Sequence, residues 1–163
     1  MGQIVNETVI AMPRAAAWEK LRDLRTARNY VPGVQSIEFN PGQREGVGAS
    51  RKVVMKGRPP VDETAIAWDE GHGFTLKIHN GEKAPAPFKS LQFRYAIEDA
   101  GAGQTRLRCI ISYEMGGGML GKLLEAVVIR PALQRSNTTV ATNLKTFYET
   151  GRPTNTELAA TAS

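Results

Sequence analysis

From Gly118 to Thr150 the chain carries the pattern of one long helix, and that element limits what the remainder can become. Apolar residues recur at helical spacing at Leu120, Leu123, Leu124, Val127 and Val128, then at Leu133, Val140, Leu144, Phe147 and Tyr148. The spacing predicts an amphipathic helix of about thirty residues with its whole apolar stripe turned inward, stopped by Gly151 and Pro153. Gln35 to Met115 reads as strands and turns, so a sheet has one long helix on which to bury its apolar face. A sheet curled around a helix is the expected product, and such a shape can enclose a cavity.

Upstream, Ile4, Val5, Val9 and Ile10 mark a first strand within residues 3–12, which ends at Pro13. Ala17, Trp18, Leu21 and Leu24 share one face of a helix over Arg14 to Leu24, and a second helical piece follows to Tyr30. Beyond Pro32-Gly33 the period becomes two. Strands are expected at 34–39, 47–56, 61–69, 74–79, 88–98 and 105–115, joined by short turns that make antiparallel hairpins. The fold class is α+β, with about seven strands wrapped around the last helix. One domain spans 1–151, and the small, polar tail 152–163 is expected to be disordered.

Composition narrows the function classes. No apolar run approaches the roughly 18 residues of a membrane span, and the N-terminus has no apolar signal region, so no integral membrane segment and a cytoplasmic location are expected. The lone Cys109 cannot form an internal disulfide. The net charge is +5, yet Arg14, Lys20, Arg22, Arg25 and Arg28 are interrupted by Glu19 and Asp23, as on a solvated helical face. Nucleic acid is therefore not the expected partner. With two histidines, His72 and His79, and one cysteine, no metal and no cofactor is expected; His79 remains a candidate general base at a cavity mouth. Gly116 to Lys122 satisfies Gly-x-x-x-x-Gly-Lys, but a phosphate-binding loop needs a hydroxyl next, and Leu123 stands there. The glycines are read as a turn from strand into helix.

Met12-Pro13 leading to Ala17-Trp18, Tyr30-Val31-Pro32-Gly33-Val34, Gly46-Val47-Gly48-Ala49-Ser50-Arg51, Glu63 ahead of Trp68-Asp69-Glu70, and the closing helix form an ordered set. Together they resemble the START-like (SRPBCC) superfamily over residues 3–150. That resemblance implies the helix-grip fold, in a group that includes polyketide cyclases, plant hormone receptors and lipid carriers. It implies a cavity and inward-facing polar groups, and leaves the activity open.

The candidate site follows from strand alternation. Ala49, Arg51, Val53 and Met55 share a face, and Glu63 lies on the next strand within pairing reach. Arg51 and Glu63 are either an internal ion pair or an anchor for the polar end of an apolar ligand. Ile66 and Trp68 compete with Glu63 for the inner face. Tyr95 and Tyr113 fall on apolar faces and bond a neighbour or a ligand. Asn137 interrupts the helical stripe and faces either the cavity or a loop. Phe74, Leu76, Ile78, Phe93, Ile111, Leu144 and Phe147 are the expected apolar lining.

Three functions fit this pocket: binding of a lipid, isoprenoid or polyketide; a cyclase or dehydrase reaction with Glu63 or Tyr113 passing protons; or a ligand-gated module regulating a partner. A weak homodimer stays open. The 80–87 loop, with Gly81, Pro85 and Pro87, is either a lid or a plain connection, and Pro131 is expected to kink the long helix.

Overall fold

The computed structural model describes residues 1–155 and 157. Seven strands form one antiparallel sheet: β1 (Gly2–Ile10), β2 (Val34–Phe39), β3 (Ser50–Met55), β4 (Val61–Asp69), β5 (Gly73–His79), β6 (Phe88–Asp99) and β7 (Thr105–Met115). Their spatial order is β1-β7-β6-β5-β4-β3-β2. Strands β2 to β7 are a meander of hairpins, as their short Gly- and Pro-rich turns require. Strand β1 lies at the far edge, beside β7. The chain therefore crosses from one edge to the other through α1 (Arg14–Leu21) and a 3₁₀ helix (Leu24–Asn29). Both bury apolar residues, Ala17, Trp18 and Leu21 from the first, Leu24 and Ala27 from the second. Register shifts in β2, β4 and β6 add local twist and curl the sheet.

The shift in β4 settles a competition. Strict alternation cannot turn both Glu63 and Trp68 inward, because they are five positions apart. The register moves by one between Ala65 and Ala67 and leaves Ile66 exposed. Trp68 then rejoins the inner face, with its ring 5.5 Å from Trp18 and 5.2 Å from Phe74.

The C-terminal element is helical without a break, as α2 (Gly118–Leu124), a π turn (Glu125–Ile129) and α3 (Arg130–Thr150). Its continuity matches the sequence expectation; its buried stripe does not. In α3, Asn137, Val140, Ala141, Leu144 and Tyr148 are buried, whereas Leu120, Leu123, Leu124, Val127 and Val128 of the front half are exposed. The cause is rotational phase. Each α-helical residue advances about 100°, so the front stripe is already out of line with that of α3. The π turn, in which Arg130 N donates to Glu125 O, inserts one further residue and turns that stripe away from the sheet. The inward line of the whole element is instead Gly121, Glu125, Leu133 and Asn137. The sequence expectation is a kink at Pro131; the structure has a π turn at Glu125–Ile129, and Pro131 stands in the first turn of α3.

The tail also differs from expectation over its described part. Asn155 is buried, and its Nδ2 donates to Arg28 O at 2.7 Å and Val34 O at 2.8 Å. Thr154 N and Asn155 N both donate to Asn29 O. Thr154 and Asn155 thus tie the tail to the 3₁₀ helix and β2; residues 156 and 158–163 lie outside the described residues.

Candidate functional site

The interior divides into two clusters along the helix. At the sealed end, Phe74, Leu76, Tyr95 and Leu144 belong to one core with Trp18, Tyr30, Val140 and Tyr148. At the open end, Ile4, Ile111 and Tyr113 are buried, flanked by partly buried Phe88, Leu91, Phe93, Met115 and Leu133. Phe93 packs against both.

Arg51 and Glu63 are direct cross-strand neighbours at the sealed end. Arg51 Nε donates to Glu63 Oε2 at 2.8 Å, Nη2 donates to the same oxygen, and Nη1 donates to Leu24 O. Burial opposes the charge on Arg51, but adjacent Glu63 outweighs it and holds the guanidinium above its ordinary pKa. All three guanidinium nitrogens are thus engaged within the protein, where they fasten the 3₁₀ helix to the sheet. The internal ion pair, one of the two alternatives read from the sequence, is present.

Nearby, three phenols gather. The Tyr30 ring lies 6.5 Å from Tyr95 and 6.2 Å from Tyr148. Burial pushes Tyr30 up to about 12, and Tyr95 and Tyr148 well above the usual phenol value. Burial likewise pushes the Cys109 thiol up to about 12. All four are neutral at physiological pH. Tyr148 Oη lies near Tyr30 and Thr26 but has no hydrogen-bond partner among the described residues.

The open end is built around Tyr113. Its Cα partner across β1 and β7 is Gly2, where a Cβ would overlap the phenol ring. Tyr113 Oη donates to Glu125 Oε1 at 3.0 Å, so the π turn is tied to the sheet by this contact. Burial, followed by the Glu125 hydrogen bond and charge, raises the phenol pKa. Gly121 is required by packing: an added Cβ would collide with the Gly116 carbonyl oxygen. That contact accounts for the Gly-x-x-x-x-Gly-Lys pattern without any phosphate.

Between the clusters lies Asn137. Its Nδ2 donates to Cys109 O at 2.9 Å, while its fully buried Oδ1 has no hydrogen-bond partner among the described residues. Phe88 packs edge-on to Tyr113 at 6.0 Å and also lines a cleft of ≈450 Å³ along the Glu82–Lys89 loop. A second cleft, ≈280 Å³, lies by Arg22, Arg25 and Arg44 on the surface. There Arg22 pairs with Glu45 and Arg25 with Asp23.

The structure therefore separates the predicted set. Phe74, Leu76, Tyr95, Leu144, Arg51 and Glu63 belong to the sealed end, with Phe147 against Tyr30. Ile111 and Tyr113 belong to the open end, and Asn137 lies between. Ile78 is partly buried on β5, opposite Glu63. His79 is fully engaged: Nδ1 donates to Gly81 O at 2.6 Å, which leaves Nε2 to accept from Thr64 Oγ1 at 2.8 Å. Among the described residues no three His, Cys, Asp or Glu side chains are grouped to hold a metal. Sequence reasoning left Phe88, Leu91 and Met115 out of the expected lining and passed over Glu125. Glu125 had a signal: it is the one acidic residue from Gly116 to Leu144.

A curved antiparallel sheet gripping a long C-terminal helix, with two short helices after the first strand, defines the helix-grip class. Within it, the chain belongs to the family described as "Polyketide cyclase / dehydrase and lipid transport", whose model matches residues 1–149, and so to the START-like superfamily. Comparison with curated protein sequences gives no match. Among solved structures, the chain resembles the Zhui aromatase/cyclase from Streptomyces sp. R1128, with 15% identity and TM-score 0.63, covering 92% of this chain and 97% of that one. It also resembles Ara h 8.0201, at 18% identity and TM-score 0.62, over 88% of this chain and 97% of that one. The Aha1 dimer from Colwellia psychrerythraea is similar at 12% identity and TM-score 0.66, over 93% and 98% of the two chains. At such identities the likeness is one of fold.

Proposed function

We propose that the chain binds a small hydrophobic or aromatic ligand, of the lipid, isoprenoid or polyketide kind, between sheet and helix where the two clusters meet. The observation that carries this reading is the unpartnered Asn137 Oδ1 in an apolar interior. A buried acceptor without a donor costs about 1–3 kcal/mol, which a ligand hydroxyl or amide would offset. The open end supplies apolar walls from Ile111, Phe93, Leu91 and Leu133, with Tyr113 at the mouth. Arg51 and Glu63 hold the far wall. Membership in a family whose description couples cyclase, dehydrase and lipid transport supports the ligand class.

The test is native mass spectrometry of the protein from its own host, followed by affinity measurements with the extracted molecule. One equivalent of an apolar compound is expected, and Asn137→Leu should weaken it about tenfold, or about 1.4 kcal/mol. Absence of any bound compound, together with no thermal shift against fatty acids, isoprenoid alcohols and aromatic polyketides, would overturn the reading.

A cyclase or dehydrase reaction in the same space is the second reading, favoured by one observation. The Tyr113 phenol donates to the Glu125 carboxylate at the mouth, an arrangement able to pass a proton. In an enzyme, Tyr113→Phe abolishes turnover while binding persists; in a carrier it changes affinity alone.

A further inference from the structure

The apolar stripe on the front half of the long helix serves neither the core nor the proposed ligand site. Met119 is 88% exposed, Leu120 82%, Leu123 63%, Leu124 42%, Val127 67% and Val128 52%. At about 100° per residue, these six side chains cover one contiguous half of the helix circumference. Single exposed leucines are ordinary, but a continuous apolar ridge over three turns marks an interaction surface. The opposite line of the same segment faces the protein, with Gly121 against Gly116 and Glu125 against Tyr113. The ridge is therefore held outward by defined contacts.

We propose that this ridge, Gly118 to Ile129, docks the protein on the surface of an anionic lipid bilayer. Charge is the first argument. From Gly116 to Leu144 the chain carries Lys122, Arg130 and Arg135 against Glu125 alone, and Glu125 is turned inward to Tyr113. Lys89 lies beside Gly116, paired at 3.7 Å with Glu114, and Lys83 and Glu82 share the adjoining loop. The whole chain has net charge +5. Shape is the second argument. A convex stripe sinks about 5–10 Å into the headgroup boundary of a bilayer without needing a complementary pocket, while basic side chains at its rim meet anionic lipid. Two copies packed ridge on ridge would set like-charged rims together. No described helix is long and apolar enough to cross a membrane, so the ridge lies on the surface. This inference stands whether or not the interior holds a ligand.

The test is co-sedimentation of the full chain with vesicles of phosphatidylcholine, with and without phosphatidylserine. Binding should be about tenfold greater with phosphatidylserine and should fall as salt is raised. The double variant Leu120→Ser/Leu123→Ser should lose it about tenfold, with an unchanged thermal midpoint because both side chains are exposed. A Leu123→Trp reporter should shift its emission to the blue on the same vesicles. Wild-type protein that ignores anionic vesicles, or a double variant that binds them as well as wild type, would overturn the proposal. So would a concentration-dependent dimer that the double variant abolishes without any vesicle binding, which would assign the ridge to a second copy.

Discussion

The two halves of the C-terminal helix each carry an apolar stripe, and the two stripes have opposite fates. In α3 the stripe of Val140, Ala141, Leu144 and Tyr148 is buried in the main core, with Tyr30 and Tyr95. In α2 and the π turn, Leu120, Leu123 and Val127 face outward, and the inner line carries Gly121 and Glu125. Apolar periodicity tells where a helix has a stripe; the rotational phase between the segments, to which the π turn adds one residue, decides which way it points. The sealed half is built for stability, whereas the front half leaves apolar surface free and covers the open-end cluster only in part.

The largest expected effect concerns the sealed half as a unit. Tyr30, Tyr95, Tyr148 and Cys109 keep their protons well above their ordinary values because they are buried. Unfolded, the phenols ionise near pH 10 and the thiol near 8.5, so above these values the unfolded state binds fewer protons and stability falls as pH rises. Each group contributes up to about 1.4 kcal/mol per pH unit until it ionises in the folded state. Denaturant titrations at pH 8, 10 and 11 should show a steepening loss, with the sealed half going in the same transition. A flat profile to pH 11 would mean that these groups are hydrated.

Next comes Glu63→Ala, which strands the buried Arg51 charge at an expected cost of about 3–5 kcal/mol in urea unfolding. A loss below about 1 kcal/mol would mean that water reaches the pair and that the sealed end is open after all.

Leu144→Ala should cost about 2–5 kcal/mol, because Leu144 is fully buried in the main core. The smallest effect is its counterpart: Leu123→Ala in the front half should stay within about 0.5 kcal/mol. Equal costs for the two leucines would break the comparison, placing α2 against the sheet in solution.

Much of this was legible from residue pattern. The succession of antiparallel hairpins, the long closing helix and the pairing reach of Arg51 and Glu63 all rest on local periodicity and short turns, whereas the place of β1 beside β7 at the far edge comes from the structure. Two features of the fold were not legible. Period-two counting could not locate the slip at Ile66, because a bulge costs the sequence only one ordinary residue. The tail looks disordered by composition, yet Asn155 is held by carbonyls of Arg28 and Val34, partners about 120 residues away in the chain. The candidate site divides in the same way. Alternation groups Arg51, Tyr95 and Tyr113 with apolar neighbours and leaves Glu63 competing with Ile66 and Trp68, but the open end depends on Glu125 meeting Tyr113 through a π turn that leaves no periodic signature.

The sequence by itself determined the elements, their antiparallel succession and the presence of one long helix, since these follow from side-chain period, turn chemistry and the need to bury a sheet face. The tertiary structure alone decided the rotation of α2, the division of the interior into a sealed and an open end, and the orphaned acceptor on Asn137. Those depend on how the helix meets a curved sheet over long range, where a single π turn or bulge moves every later side chain to another face.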